Sequence, residues 1–141
     1  MSTVFTKIIE GDLPGRFVWK DDKAVGFLSI APLSMGHVLV VPREEIDHWV
    51  DLPQDLALHL MAVCRTIGQA INEVYDPVRV GLMIQGFEVP HAHLHVWPTN
   101  SIEEFSFDQV DNDPDQDAMD EAAASIRDAL TRAGHSEAEV G

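Results

Sequence analysis

Histidine recurs at alternate positions in His91-Ala92-His93-Leu94-His95-Val96-Trp97-Pro98, and of the seven histidines in 141 residues these three fall within five positions. Successive side chains of an extended chain point to opposite faces. The run therefore presents His91, His93 and His95 together and sends Ala92, Leu94 and Val96 into a core. A neutral imidazole carries one N–H and one lone pair and titrates near neutrality, so three in register can attack an electrophilic phosphorus, pass protons or hold a metal ion. Isolated histidines such as His48 and His59 read as structural. A patterned run beside apolar residues reads as a site, and it is neither consecutive nor terminal as a tag would be.

The elements that must position this run can be read from periodicity. Residues 5–10 read as a short helix and residues 16–20 as a strand closing at the turn Asp21-Asp22. Residues 24–30 and 37–41 read as two more strands, separated by a loop that carries Pro32 and Gly36. Leu56, Leu60, Val63, Ile67, Ala70, Ile71 and Val74 then recur at helical spacing, with Pro53 at the first helical position and Asp76-Pro77 as the stop. Residues 78–84 and 91–97 read as antiparallel neighbours joined by a short loop, and Asp113-Pro114 opens a second helix that ends at Gly134. Five strands, one long helix and a C-terminal helix predict an α+β fold on a mostly antiparallel sheet. Residues 1–100 form the domain in this reading, and residues 101–141 form an acidic extension whose helix packs on it.

Composition narrows the functional classes. The net charge of −15 argues against nucleic acid, because a duplex binder needs Lys and Arg to displace counterions. Residues 1–100 hold 12 acidic and 7 basic side chains, whereas residues 101–141 hold 12 and 2, so the excess lies in the extension and reads as a solvated face. No apolar run approaches the ~20 residues of a membrane span and no signal-peptide pattern opens the chain, which predicts a cytoplasmic protein with no membrane partner. Cys64 is the only cysteine, which excludes an intrachain disulfide and a CxxC metal site.

The histidine run resembles the signature of the histidine triad superfamily of nucleotide hydrolases and transferases, and the likeness extends over about the first hundred residues. The segment from Val4-Phe5-Thr6-Lys7-Ile8-Ile9 to Leu13-Pro14 is similar to the family's opening helix and turn. Phe27-Leu28-Ser29-Ile30-Ala31-Pro32 and Gly36-His37-Val38-Leu39-Val40-Val41-Pro42 are similar to its second and third strands, and Gly86-Phe87-Glu88-Val89-Pro90 leads into the triad.

The resemblance implies a function and a set of roles. His93 would take the nucleotidyl group from the α-phosphate of a purine nucleotide, a phosphoramidate or a dinucleoside polyphosphate among the candidates, and water would then release the monophosphate. His95 would donate to the phosphate or the leaving group, while His91 and His37 would orient the cluster. Val4, Phe5, Ile8, Phe27, Leu28 and Leu39 match positions that hold the purine. Ser29 stands where many members have a ribose-binding Asp, and Glu88 where many eukaryotic members have Ser or Thr. The loop before the triad is short, leaving Gln85 as the candidate for a phosphate-binding amide. Thr3 and Thr6 stand where some members carry a zinc-binding Cys pair, so no metal or other cofactor is expected. The likeness also implies a homodimer. Two alternatives come from the residues themselves: a nucleotide-binding protein without catalysis, and a metal site made of His91, His93, His95 and His37, which has no carboxylate beside it in sequence except Glu88.

Overall fold

Side-chain alternation sorts the sheet into two faces with separate cores. The computed structural model describes residues 2–140. Its strands are β1 (Phe17–Lys20), β2 (Ala24–Leu28), β3 (Val38–Pro42), β4 (Arg79–Met83) and β5 (Leu94–Thr99), joined in the order β1-β2-β3-β5-β4 with every neighbouring pair antiparallel. Ala24, Leu28, Val38, Val40, Leu94 and Val96 face the larger core, which is closed by α2 (Gln54–Tyr75) and α3 (Gln116–Arg132). Val25, Phe27, Leu39 and Val41 face the opposite side, where α1 (Val4–Glu10) contributes Phe5 to a smaller apolar cluster. The α+β reading with a five-stranded antiparallel sheet holds.

The long helix buries the predicted stripe. Leu56, Leu60, Val63, Cys64, Ile67, Ala70 and Ile71 are all buried, at spacings of three, four and seven that keep one face on the sheet. Gly26 lets that face come close: a Cβ there would stand 3.0 Å from Ile67 Cδ1 and 3.3 Å from Trp19 Cβ. Asp76 ends the helix in the left-handed conformation, φ 46°, with Pro77 behind it. In the loop before β3, Gly36 adopts φ 99°, and a Cβ there would fall 2.5 Å from the Tyr75 ring.

Several element boundaries differ from the sequence reading, among them those of the two longer helices and the last strand. The long helix begins at Gln54 with Pro53 as its cap. The C-terminal helix begins at Gln116, because the Asp115 carboxylate rather than Asp113 accepts a bond from Ala118 N–H. The last strand begins at Leu94 and not at His91. Ala92 N–H donates to Ile46 O at 2.7 Å and His91 N–H to Val89 O at 2.8 Å, so the first two triad residues lie before the ladder, with His91 in a bend.

The C-terminal helix belongs to the main core. Met119, Ala122, Ala123, Ile126, Ala129 and Leu130 share the cluster formed by α2 and the sheet, and Arg127 Nη1 donates to Phe17 O on the first strand at 3.0 Å.

Candidate active site

β5 carries His95 directly opposite Leu39 on β3 and Met83 on β4, so its ring lies on the face that α1 covers. His93 precedes the strand by one residue. The Phe5 ring meets its ring edge-on at 4.7 Å, and the rings of His93 and His95 are 4.9 Å apart. His37, one residue before β3, reaches the same place from the neighbouring strand with its ring 5.2 Å from His95. All four histidines are buried.

The proton on each ring follows from partners that can play only one role. Leu33 N–H can only donate, and it meets His37 Nδ1 at 3.0 Å, so that nitrogen is the acceptor and Nε2 carries the hydrogen. His37 Nε2–H then donates to His95 Nδ1 at 3.0 Å, which leaves the hydrogen of His95 on its Nε2. That N–H is buried and has no partner among the described residues. Carbonyls can only accept, so His93 donates through Nδ1 to His91 O at 2.7 Å and keeps a lone pair on Nε2. His91 likewise donates through Nε2 to Pro42 O at 2.8 Å and accepts at Nδ1 from the Thr3 hydroxyl at 2.7 Å. One unused donor and one unused lone pair therefore stand on adjacent rings.

Burial keeps the cluster uncharged. Desolvation, reinforced by the neighbouring rings, pushes His37 down to about 3, and desolvation with the field of His93 does the same to His95. His93 and His91 are lowered as well, first by burial. Their bonds to carbonyls, and the negative charges of Glu88 beside His93 and Glu45 beside His91, act in the opposite direction.

A cavity of roughly 750 Å³ opens over His93 and His95. Val4, Phe5, Ile8, Phe27, Leu28 and Leu39 line it, together with Ser29 and Glu88. Such a volume, with apolar residues on one side and His93, His95 and Glu88 on the other, suits a molecule of nucleotide size.

Comparison with known proteins decides the family. The HIT domain family matches residues 10–102. The chain belongs to the HIT family. One HIT relative, the adenosine 5'-monophosphoramidase of Schizosaccharomyces pombe, is 31% identical over 70% of this chain and 74% of its own length. An uncharacterized HIT-like protein of Borreliella burgdorferi is 32% identical over 74% of this chain and 80% of its own. Among solved structures, a zinc-bound histidine triad family protein from Mycobacterium smegmatis superposes with a TM-score of 0.80 at 30% identity, covering 94% of this chain and 96% of that one.

Within the HIT cavity the sequence-derived candidates separate. Phe5, Ile8, Phe27, Leu28, Ser29, Leu39, Glu88, His93 and His95 come together there. His91 and His37 lie behind it as hydrogen-bond supports. Gln85 is not part of the wall; its Oε1 accepts from Phe87 N–H at 2.7 Å and closes its own loop, while its Nε2 is buried with no partner among the described residues. The Ser29 hydroxyl accepts from Ala31 N–H at 3.3 Å.

The wall also contains residues absent from the sequence reading. Arg16 lines the cavity and donates to Asp120 Oδ1 at 2.8 Å and Gln116 Oε1 at 2.9 Å, so α3 forms part of the enclosure. Phe107, Val110 and Asn112 come from the acidic extension, and the Phe107 ring meets His95 at 5.0 Å. The signal that could have found them is the presence of Phe105, Phe107 and Val110 within an otherwise acidic run.

Proposed function

We propose that the protein is a nucleotidyl hydrolase or transferase acting at the α-phosphate of purine nucleoside monophosphate derivatives, such as phosphoramidates and dinucleoside polyphosphates, through a covalent nucleotidyl-histidine intermediate on His93. The observation that carries this reading is the pair of free ring nitrogens of opposite character, the His93 Nε2 lone pair beside the His95 Nε2–H. A nucleophile aimed at an anionic phosphoryl group must be uncharged, and the desolvated His93 ring meets that need. The charge that builds on the phosphoryl oxygens needs a donor already in place, and His95 presents one with no competing partner.

In the first step the N–P bond forms at Nε2 as the bond from phosphorus to the leaving group breaks. Water then attacks the same phosphorus, the N–P bond breaks, and the monophosphate leaves with His93 restored. Glu88 lines the cavity next to His93 and is the carboxylate placed to exchange protons with the leaving group and the attacking water. The apolar residues of α1, β2 and β3 would hold the base, and Ser29 would meet the ribose as a single neutral group.

The relative from Mycobacterium smegmatis is described as zinc-bound. In this chain Thr3 and Thr6 occupy the positions that resemble a zinc-binding pair, and their hydroxyls are engaged with His91 and Glu45. Neutral hydroxyls already donating elsewhere are poor zinc ligands. Among the described residues, no group of three His, Cys, Asp or Glu side chains is arranged to hold an ion. Thr3 and Thr6 therefore do not fit a zinc site.

The test is nucleoside monophosphate release from adenosine and guanosine phosphoramidates and diadenosine polyphosphates by wild type and His93→Ala. Wild type should release the monophosphate and accumulate a mass adduct of one nucleotidyl group on His93 after rapid quench in alkaline denaturant, in which an N–P bond to histidine survives. His93→Ala should lose turnover by several orders of magnitude while binding monophosphate within a few-fold. Monophosphate binding with no turnover across the panel would instead make the chain a nucleotide-binding protein on the same fold.

A homodimer is part of the same proposal. β4 is an edge of the sheet, and Leu82 on it, 41% exposed, lies near Met61 on α2, with Leu58 farther along that helix 62% exposed. A hollow of roughly 320 Å³ separates α2 from β4, lined by Met61, Gly68, Asn72, Gly81 and Leu82. An open strand edge beside apolar helix residues suits a second copy of itself across a two-fold axis.

A further inference from the structure

The segment before α1 is fastened to the back of the triad by three side chains, Thr3, Thr6 and Glu45, that no role in the reaction has yet claimed. Glu45, exposed on the loop after β3, accepts from Thr3 N–H and from the Thr6 hydroxyl, both at 2.7 Å through Oε1. The Thr3 hydroxyl accepts from Thr6 N–H at 3.2 Å, which caps α1, and donates to His91 Nδ1 at 2.7 Å. Each hydroxyl has a single proton. That of Thr6 goes to the carboxylate, and that of Thr3 goes to the imidazole at 2.7 Å in preference to Thr6 Oγ1, which lies 3.3 Å away. His91 is held on both nitrogens, between Thr3 and Pro42 O, and its own carbonyl receives the Nδ1–H that leaves the lone pair of His93 facing the cavity.

We propose that Glu45, acting through Thr3 and Thr6, is a positioning residue for His93. The carboxylate holds the two threonines, Thr3 holds the His91 ring, and the His91 carbonyl sets the proton and orientation of the nucleophile. The same clamp seats α1, whose Phe5 packs against both His91 and His93 with ring distances of 5.9 and 4.7 Å. The two donors also hold the Glu45 carboxyl below the usual range, so it stays an acceptor through neutral pH.

The kinetic part of this inference rests on the proposed nucleotidyl chemistry. The spectroscopic part does not, and the experiment uses both. In full-length protein, Thr3→Val removes the donor at nearly constant volume, and Thr3→Ser keeps it. Glu45→Ala removes the acceptor, and Glu45→Gln keeps an oxygen that can accept both protons. Thr3→Val and Glu45→Ala should each lower kcat by about tenfold, the equivalent of one hydrogen bond, with KM within about twofold. Thr3→Ser and Glu45→Gln should restore it. In nitrogen-15 NMR spectra, the Nδ1 resonance of His91 should move toward that of a free imidazole nitrogen in Thr3→Val and return in Thr3→Ser.

Wild-type kcat in Thr3→Val together with an unmoved His91 Nδ1 resonance would overturn the proposal. So would an equal loss in the conservative and disruptive variants. If the wild-type protein turned over no substrate, the nucleotidyl reading would fail, and the NMR shift would still decide whether the clamp holds His91.

Discussion

Four buried imidazoles stay neutral because burial disfavours their charged form, and their tautomers are set by partners of fixed polarity: Leu33 N–H, Pro42 O and His91 O. Neutrality makes the site sensitive to acid. His37 and His95 are held near 3 in the folded protein and return to about 6.5 when unfolded, so below that value the unfolded chain binds more protons. Their contribution to stability is complete above about pH 6.5 and is lost as pH falls toward 3, at about 1.4 kcal/mol per histidine for each pH unit. Urea midpoints measured between pH 7 and 4 should fall accordingly. His37→Gln, which keeps an acceptor for Leu33 N–H and a donor for His95, should show a shallower fall. An unchanged slope in that variant would contradict the depressed titration of buried His37.

At the level of elements, the acidic extension divides into two parts. Its charged residues are mostly solvated as expected, but its apolar residues complete the larger core and cover part of the site. Phe107 covers His95, Phe105 meets Trp97 with ring centroids 4.7 Å apart, and Ile126 is fully buried between α2 and the sheet. Ile126→Ala should therefore cost about 2–5 kcal/mol and lower the single unfolding transition of the whole chain. A separable tail would instead lose its own helix signal by circular dichroism and leave the sheet's transition where it was. The helical stripe and the strand pattern were legible because a repeat of 3.6 or 2 residues is written in neighbouring positions. The role of Phe107 was not, since an aromatic residue amid carboxylates shows its partner only once the chain has turned back over the sheet.

For the whole molecule, the open edge at β4 and the exposed Leu58 and Leu82 predict self-association. Sedimentation of wild type should give twice the mass of the chain. Leu82→Glu combined with Met61→Glu, which places charge at the centre of the hollow, should give the monomer with an unchanged circular dichroism spectrum. A monomeric wild type would remove the dimer from the proposed function without touching the triad chemistry, because every residue assigned to that site comes from one chain.

The sequence alone determined which residues could do chemistry, the face on which they stand and the elements that carry them. These follow from side-chain alternation and helical period, which are properties of the local chain. Tertiary structure decided what each imidazole is. His95 presents its hydrogen because His37, 58 positions away, meets its other nitrogen, and His93 its lone pair because the carbonyl of His91, whose ring distant residues hold, takes its Nδ1–H. Thr3 meets His91 across 88 positions and Glu45 across 42, and Arg16 meets Asp120 across 104. No periodicity encodes a partner at such a separation. It is fixed only when packing of the two cores brings the segments together and each buried polar atom must find its complement.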